Sequence, residues 1–287
     1  MLIAIIISCD SDVSIIKRYD NLDTSISLLN DTSSIPPIPI ESEPEATTGY
    51  LRYYLKQVAC PACVGESQEL FLELKLEMHE PITDVYADWI PAIGTCTESF
   101  IYTDPSTIPL SIGQKIDVQS IHTISLYQSQ TGTYLANPYE SQYDRDSTHN
   151  VYNGTTLLFD FRTIEGFDFI EPYTMLWVDP SYAFDAPISR NGATFWWGPA
   201  NDQSQIFNIT IAIYSWDGSS LLGYVSCSGS NSGQLTVPAE YLSKYPTGSL
   251  TAIHLTRHKL SLELSTELNS YIQTHMEWEV IGTGYLQ

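Results

Sequence analysis

Basic residues are scarce in this sequence. Lysine and arginine total 12 against 34 aspartates and glutamates, a formal charge of −22 over 287 residues. A surface of that sign repels phosphate backbones and argues against nucleic acid as a partner. It repels anionic lipid headgroups as well, so attachment to a membrane has to come from something other than a basic patch. Long apolar runs are missing too. The run at residues 2–7 falls well short of the ~20 residues that span a bilayer, and no later stretch reaches that length. Strand–helix alternation is absent, which weighs against a parallel α/β sheet, and no internal repeat is visible.

Catalytic signatures are equally thin. His254 and His258 are spaced like the histidines of zinc proteases, but Leu255-Thr256-Arg257 lie between them and the glutamate base is missing. In a strand the two would share one face at a separation of ~13 Å, too far for a single ion. Gly229-Ser230-Asn231-Ser232-Gly233 has glycines around its centre as a nucleophile elbow does, but the central residue is asparagine and no strand-to-helix elbow follows. That stretch reads as a turn.

What is present is β pattern. With 43% hydrophobic residues the chain can bury a real core. Leu70, Leu72, Leu74, Leu76 and Met78 alternate with Glu69, Phe71, Glu73, Lys75 and Glu77, the period of two of a half-buried strand. Shorter strands are expected at 50–55, 84–89, 99–102, 115–118, 123–127, 155–161 and 174–178, with a turn at Gln130-Thr131-Gly132-Thr133 and a long polar loop at 137–150. Further on, strands are expected at 206–214, 221–227, 250–256 and 276–285, with a short helical stretch after Pro238. Asp217-Gly218 is a hairpin signal, since glycine supplies the positive φ such turns need. Residues 260–271 are ambiguous: Leu260, Leu262 and Leu264 alternate, while the composition allows a helix. The expected architecture is all-β, as two immunoglobulin-like β-sandwich domains at 49–190 and 191–287, divided at Pro187-Ile188-Ser189-Arg190-Asn191-Gly192.

Before the first strand lies a polar segment, residues 10–48, rich in Ser, Thr, Asp and Pro. It is expected to be disordered, with a reach of ~35 Å as a coil and more where prolines stiffen it. Ahead of it the apolar run ends in Ile6-Ile7-Ser8-Cys9, and polarity switches at once to Asp10-Ser11-Asp12. Two apolar residues, a small one and a cysteine resemble the lipobox of bacterial lipoproteins. No lysine or arginine precedes the run, so the alternative is an apolar first strand with Cys9 as a buried thiol. The resemblance implies that residues 1–9 are signal and anchor, that Cys9 carries acyl chains, and that the protein is tethered to a membrane of the cell envelope. The body is similar to β-sandwich domains of bacterial surface lipoproteins in composition and strand rhythm, without the motif of any one family.

With Cys9 acylated, Cys60, Cys63, Cys96 and Cys227 remain, an even number that in an exported chain permits disulfides. Cys60-Pro61-Ala62-Cys63 has thioredoxin-like spacing, but that chemistry wants a helix after the first cysteine and the sequence continues into a strand. A structural disulfide from the 60–63 loop to Cys96 is expected, leaving Cys227 as a free buried thiol. Glu140, Asp144 and Asp146 place oxygen ligands at alternate positions, as Ca²⁺ loops do, although the glycine of such loops is missing and Arg145 lies among the acids. No other cofactor is implied. The 19 tyrosines and six tryptophans can anchor a protein or carbohydrate partner, and Trp196 and Trp197 must point to opposite faces.

The function expected is binding or structural, not enzymatic, at the bacterial cell envelope. The alternatives are an envelope glycan hydrolase, which needs two carboxylates ~5 to 9.5 Å apart, and a glycosylated viral or eukaryotic surface protein. The third requires Asn153-Gly154-Thr155 and Asn208-Ile209-Thr210 to present their asparagines to solvent.

Overall fold

The structure is a computed structural model that describes residues 46–58, 70–83, 90–99, 106–136, 147–164, 169–171, 187–198, 202 and 204–287. Cys9, Cys60, Cys63, Glu140, Asp144 and Asp146, and the strands expected at 84–89 and 174–178, lie outside these residues.

The described chain is almost wholly β. In order it forms β1 (Thr47–Val58), β2 (Leu70–Ile82), β3 (Cys96–Thr97), β4 (Lys115–Gln119), β5 (Thr123–Gln130), β6 (Thr133–Ala136), β7 (Thr148–Asn153), β8 (Thr156–Arg162), β9 (Phe169–Glu171), β10 (Pro187–Ile188), β11 (Ala193–Trp197), β12 (Ile206–Tyr214), β13 (Leu221–Ser230), β14 (Gln234–Val237), a single turn α1 (Ala239–Leu242), β15 (Leu250–Ser265) and β16 (Ser270–Leu286). The alternation at 70–78 becomes β2, and the ambiguous leucines at 260–264 extend β15 rather than starting a helix.

Thirteen strands join one sheet in the order β3-β13-β12-β15-β16-β1-β2-β6-β5-β4-β7-β8, with β10 beside the end of β16; β14, β11 and β9 form a second, small sheet. Two tight turns depend on glycine. Gly218 closes the β12–β13 hairpin at φ 70°. Gly132, at φ 76°, accepts from the backbone N–H of Met78, and a Cβ on it would meet the Met78 carbonyl at 2.5 Å.

The division expected near residue 190 is absent. Residues 42–287 form one compact unit, and β12, β13, β15 and β16 share their sheet with β1 and β2. The cause is long-range pairing: β1 runs parallel to β16, joining Tyr50 to Gln273 and Leu55 to Trp278. No local periodicity announces such a ladder.

One face of β1, β16, β15 and β12 is mainly apolar, with Arg257 and Thr274 buried among the apolar residues. Leu51, Tyr53, Leu55, Ile272, Met276, Trp278, Ile253, Leu255, Phe207, Ile209 and Ile211 are all buried there. The sheet doubles back over this face, so Tyr53 packs edge-on to His149 of β7, with Phe161 of β8 also in contact. On the small sheet Trp197 is buried and stacks on Phe207 at 3.6 Å between ring centres, while Trp196 is 42% exposed, the expected split of the pair.

The outer end of β13 carries a disulfide between Cys96 on β3 and Cys227 on β13. This corrects the expectation for Cys96, whose partner is Cys227 and not the 60–63 loop. Cys227 is therefore a bonded core residue rather than a free thiol. The reason is register: Cys96 and Cys227 stand directly opposite each other in the β3–β13 ladder.

A buried polar row as the candidate functional site

The opposite face of the same strands carries the chemistry. In β16, Gln273, His275, Glu277 and Glu279 alternate with Ile272, Thr274, Met276, Trp278 and Val280. A strand sends alternate side chains to opposite faces, so this segment puts an acid–histidine row on one side and the core on the other. In β1, Tyr50, Arg52 and Tyr54 alternate with Leu51, Tyr53 and Leu55 in the same way. In β15 the corresponding residues are His254, Thr256 and His258. Such a face is ordinarily solvated. Here His258, His275, Glu277 and Glu279 are buried.

Pairing between β1 and β16 follows one rule three times. Each β1 side chain reaches past its register partner to the next residue on the same face of β16. Tyr50, opposite Gln273, meets His275 Nδ1 at 3.0 Å. Arg52, opposite His275, donates from Nε to Glu277 Oε2, and Tyr54, opposite Glu277, donates to Glu279 Oε2. Side chains leaning along parallel strands produce this repeat. From β15, His258 stands opposite Glu277. Its Nδ1 lies 3.0 Å from His275 Nε2 and 3.7 Å from Glu277 Oε1. His254, four residues away, pairs with Glu279 Oε1 at 2.7 Å. The two histidines of β15 thus serve different acids, as their expected separation in a strand required. Beyond them Asn208 of β12 donates through Nδ2 to Ser226 Oγ, Ser228 Oγ and the Cys227 carbonyl, and accepts from Thr210 Oγ1.

The electrostatics are those of a heavily desolvated cluster. Burial raises the Glu277 carboxyl, but the charges of His275, Arg52 and His258 outweigh it and bring its pKa down to about 2. Glu279 moves the same way: burial is overcome by His254 and by the Tyr54 hydrogen bond. Burial, with His275 alongside, lowers His258 from 6.5 to about 3. Burial also disfavours the Arg52 charge, but Glu277 more than compensates and holds it above the ordinary range. At neutral pH the row contains ionised glutamates, a charged Arg52 and a neutral His258.

An acid sensitivity follows. Between 6.5 and about 3 the unfolded chain takes up a proton at His258 that the folded chain refuses, so stability falls as pH drops through that window. Glu277, depressed from 4.5 to about 2, acts with the same sign over that lower range. Denaturation midpoints of chelator-stripped protein are expected to decline steadily from pH 7 to pH 4. In His258→Gln the upper part of this decline flattens. Identical pH profiles for the two proteins would contradict the assignment.

Of these residues the sequence singled out only His254 and His258. His275, Glu277, Glu279, Arg52, Tyr50 and Tyr54 were missed. The usable signal was the histidine and acids alternating with Met276, Trp278 and Val280, which looks like a solvated strand face until its neighbours are known. Asn208 is buried and spends its amide on β13, so it does not present itself to solvent; Asn153 donates its Nδ2 to the Ile112 carbonyl. Among the described residues, His258, His275 and Glu277 form a group able to hold a metal ion, with ligand atoms within 4.8 Å of one another. No helix among them is long and apolar enough to cross a membrane. No family model matches the chain, and no curated protein matches it.

Proposed function

We propose that the protein is a lipid-anchored, extracytoplasmic β-sheet protein with a binding or structural role at the bacterial cell envelope. The observation that carries this reading is the Cys96–Cys227 disulfide, which joins residues 131 apart in the chain. Structural bridges of this kind belong to oxidising compartments, outside the cytosol. Ile6-Ile7-Ser8-Cys9 supplies the anchor, the polar segment up to residue 45 the spacer, and the body from Thr47 the folded part held off the membrane. Trp216 and Trp196, both exposed, are the aromatic anchors a protein or carbohydrate partner would meet first.

Among the described residues, the buried acids of the row do not suit a two-carboxylate hydrolase, which favours a binding role for this face. A glycosidase needs one carboxyl kept protonated by a raised pKa. Glu277 and Glu279 are both lowered and both held by neighbouring side chains.

The test is expression in a bacterial host followed by fractionation and intact mass. The wild type is expected in the membrane fraction with a diacylglycerol-modified Cys9 at its N-terminus, and Cys9→Ser is expected to lack the lipid mass. A wild-type protein recovered soluble, with Met1 retained and Cys9 a free thiol, would overturn the reading.

A further inference from the structure

We propose that His258, His275 and Glu277 form a binding site for a divalent transition-metal ion of the Zn²⁺ type, which clamps β15 to β16. The three facing atoms are His258 Nδ1, His275 Nε2 and Glu277 Oε1, separated by 3.0, 3.7 and 3.8 Å. Three donors at ordinary Zn–N and Zn–O distances and tetrahedral angles stand about 3.4 Å from one another. The observed triangle brackets that value, so an ion fits with shifts of a few tenths of an ångström. Two imidazole nitrogens and one carboxylate oxygen suit Zn²⁺ and its neighbours better than Ca²⁺ or Mg²⁺, which take oxygen shells. Three protein ligands leave one tetrahedral position for a water.

Around His275 and Glu277 the surroundings are arranged as metal sites arrange them. A ligating histidine usually engages its second ring nitrogen, which fixes its orientation. His275 does so through Nδ1, 3.0 Å from the Tyr50 hydroxyl. Glu277 gives Oε2 to Arg52 and turns Oε1 toward the imidazoles, the pose of a monodentate ligand. His258 lies on β15 and the other two ligands on β16; their outer partners Tyr50 and Arg52 lie on β1. One ion therefore ties together the three central strands of the sheet.

The experiment uses the full chain carrying Cys60→Ser and Cys63→Ser, so that thiolates do not compete for metal. The protein is stripped with a chelator, loaded with Zn²⁺ and dialysed; bound metal is then measured by elemental analysis and Tm by thermal denaturation. One equivalent of zinc is expected to remain, with Tm raised by about 5 °C or more when free zinc is a hundredfold above Kd. Co²⁺ in place of zinc is expected to give the visible bands of a four-coordinate nitrogen–oxygen site. His258→Gln should abolish retention. Because that variant can fail to fold, Tyr50→Phe, which keeps every ligand, provides the second reading: affinity should fall about 10- to 100-fold. His254→Gln, which touches only the neighbouring acid, should retain the metal. If the Cys60→Ser/Cys63→Ser parent keeps no zinc, the proposal is overturned. So does zinc kept equally by His258→Gln and Tyr50→Phe, which would place the ion elsewhere, for example on Glu140, Asp144 and Asp146.

Discussion

Removing the Cys96–Cys227 bridge is expected to lower the stability of the folded body by about 5 kcal/mol, the value chain-entropy reasoning gives for a closed loop of 131 residues. For a unit of this size that corresponds to a drop in Tm of roughly 10 to 20 °C. The large loop is the reason: without the bridge, the unfolded chain regains the freedom of every segment between β3 and β13. The native side adds to the effect, because β3 is a two-residue strand that holds the outer edge of β13 by a short ladder. The measurement is a thermal unfolding curve for the oxidised protein beside Cys96→Ala/Cys227→Ala. The double alanine avoids placing a hydroxyl at the buried Cys227 position. If the double variant melts within about 2 °C of the oxidised protein, the bridge contributes nothing and the exported-protein reading loses its main support.

The second large effect concerns Arg52. Replacing it with methionine keeps the stem of the side chain and removes the charge that holds Glu277. The Glu277 side chain is 2% exposed, against 31% for Arg52, so the two substitutions are not equivalent. Arg52→Met strands a carboxylate inside the protein, whereas Glu277→Gln leaves a guanidinium with a partial route to water and with Glu73 at 3.7 Å. Breaking a buried pair by removing one partner costs about 3–5 kcal/mol. Arg52→Met is expected near the lower end, since His258 and His275 also face Glu277. Glu277→Gln is expected to cost less, and the double variant Arg52→Met/Glu277→Leu to recover most of the loss. Urea midpoints for wild type, Arg52→Met, Glu277→Leu and the double variant close the cycle, with Glu277→Gln measured beside them. An Arg52→Met variant as stable as wild type would show that the pair is not formed.

The all-β character of the chain was legible from the sequence because it is a local property. Leu70 to Met78 declared β2 through their spacing, and the Asp217-Gly218 turn and the 260–264 alternation were equally local. The two-domain division failed for the opposite reason. Tyr50 and Gln273 pair across most of the chain, and nothing near either residue announces the other. The site divides along the same line. His254 and His258 could be placed on one face and judged too far apart to share an ion. The partner that completes the site, His275 with Glu277, arrives from the next strand, and the register that puts Glu277 opposite His258 is a tertiary fact. The disulfide shows the same limit, since a count of cysteines leaves the connectivity open until the β3–β13 ladder chooses.

The parallel ladder between β1 and β16 also governs how the molecule comes into being. The strand at Thr47–Val58 emerges early from the ribosome, but the segment that must lie beside it, Ser270–Leu286, emerges more than two hundred residues later. Until then β1 has only β2 to pair with, and one of its edges stays open. Vectorial synthesis therefore delivers an unfinished sheet, and closure of the centre waits for the final hairpin. Slow, late-committing assembly is the natural behaviour of such a topology.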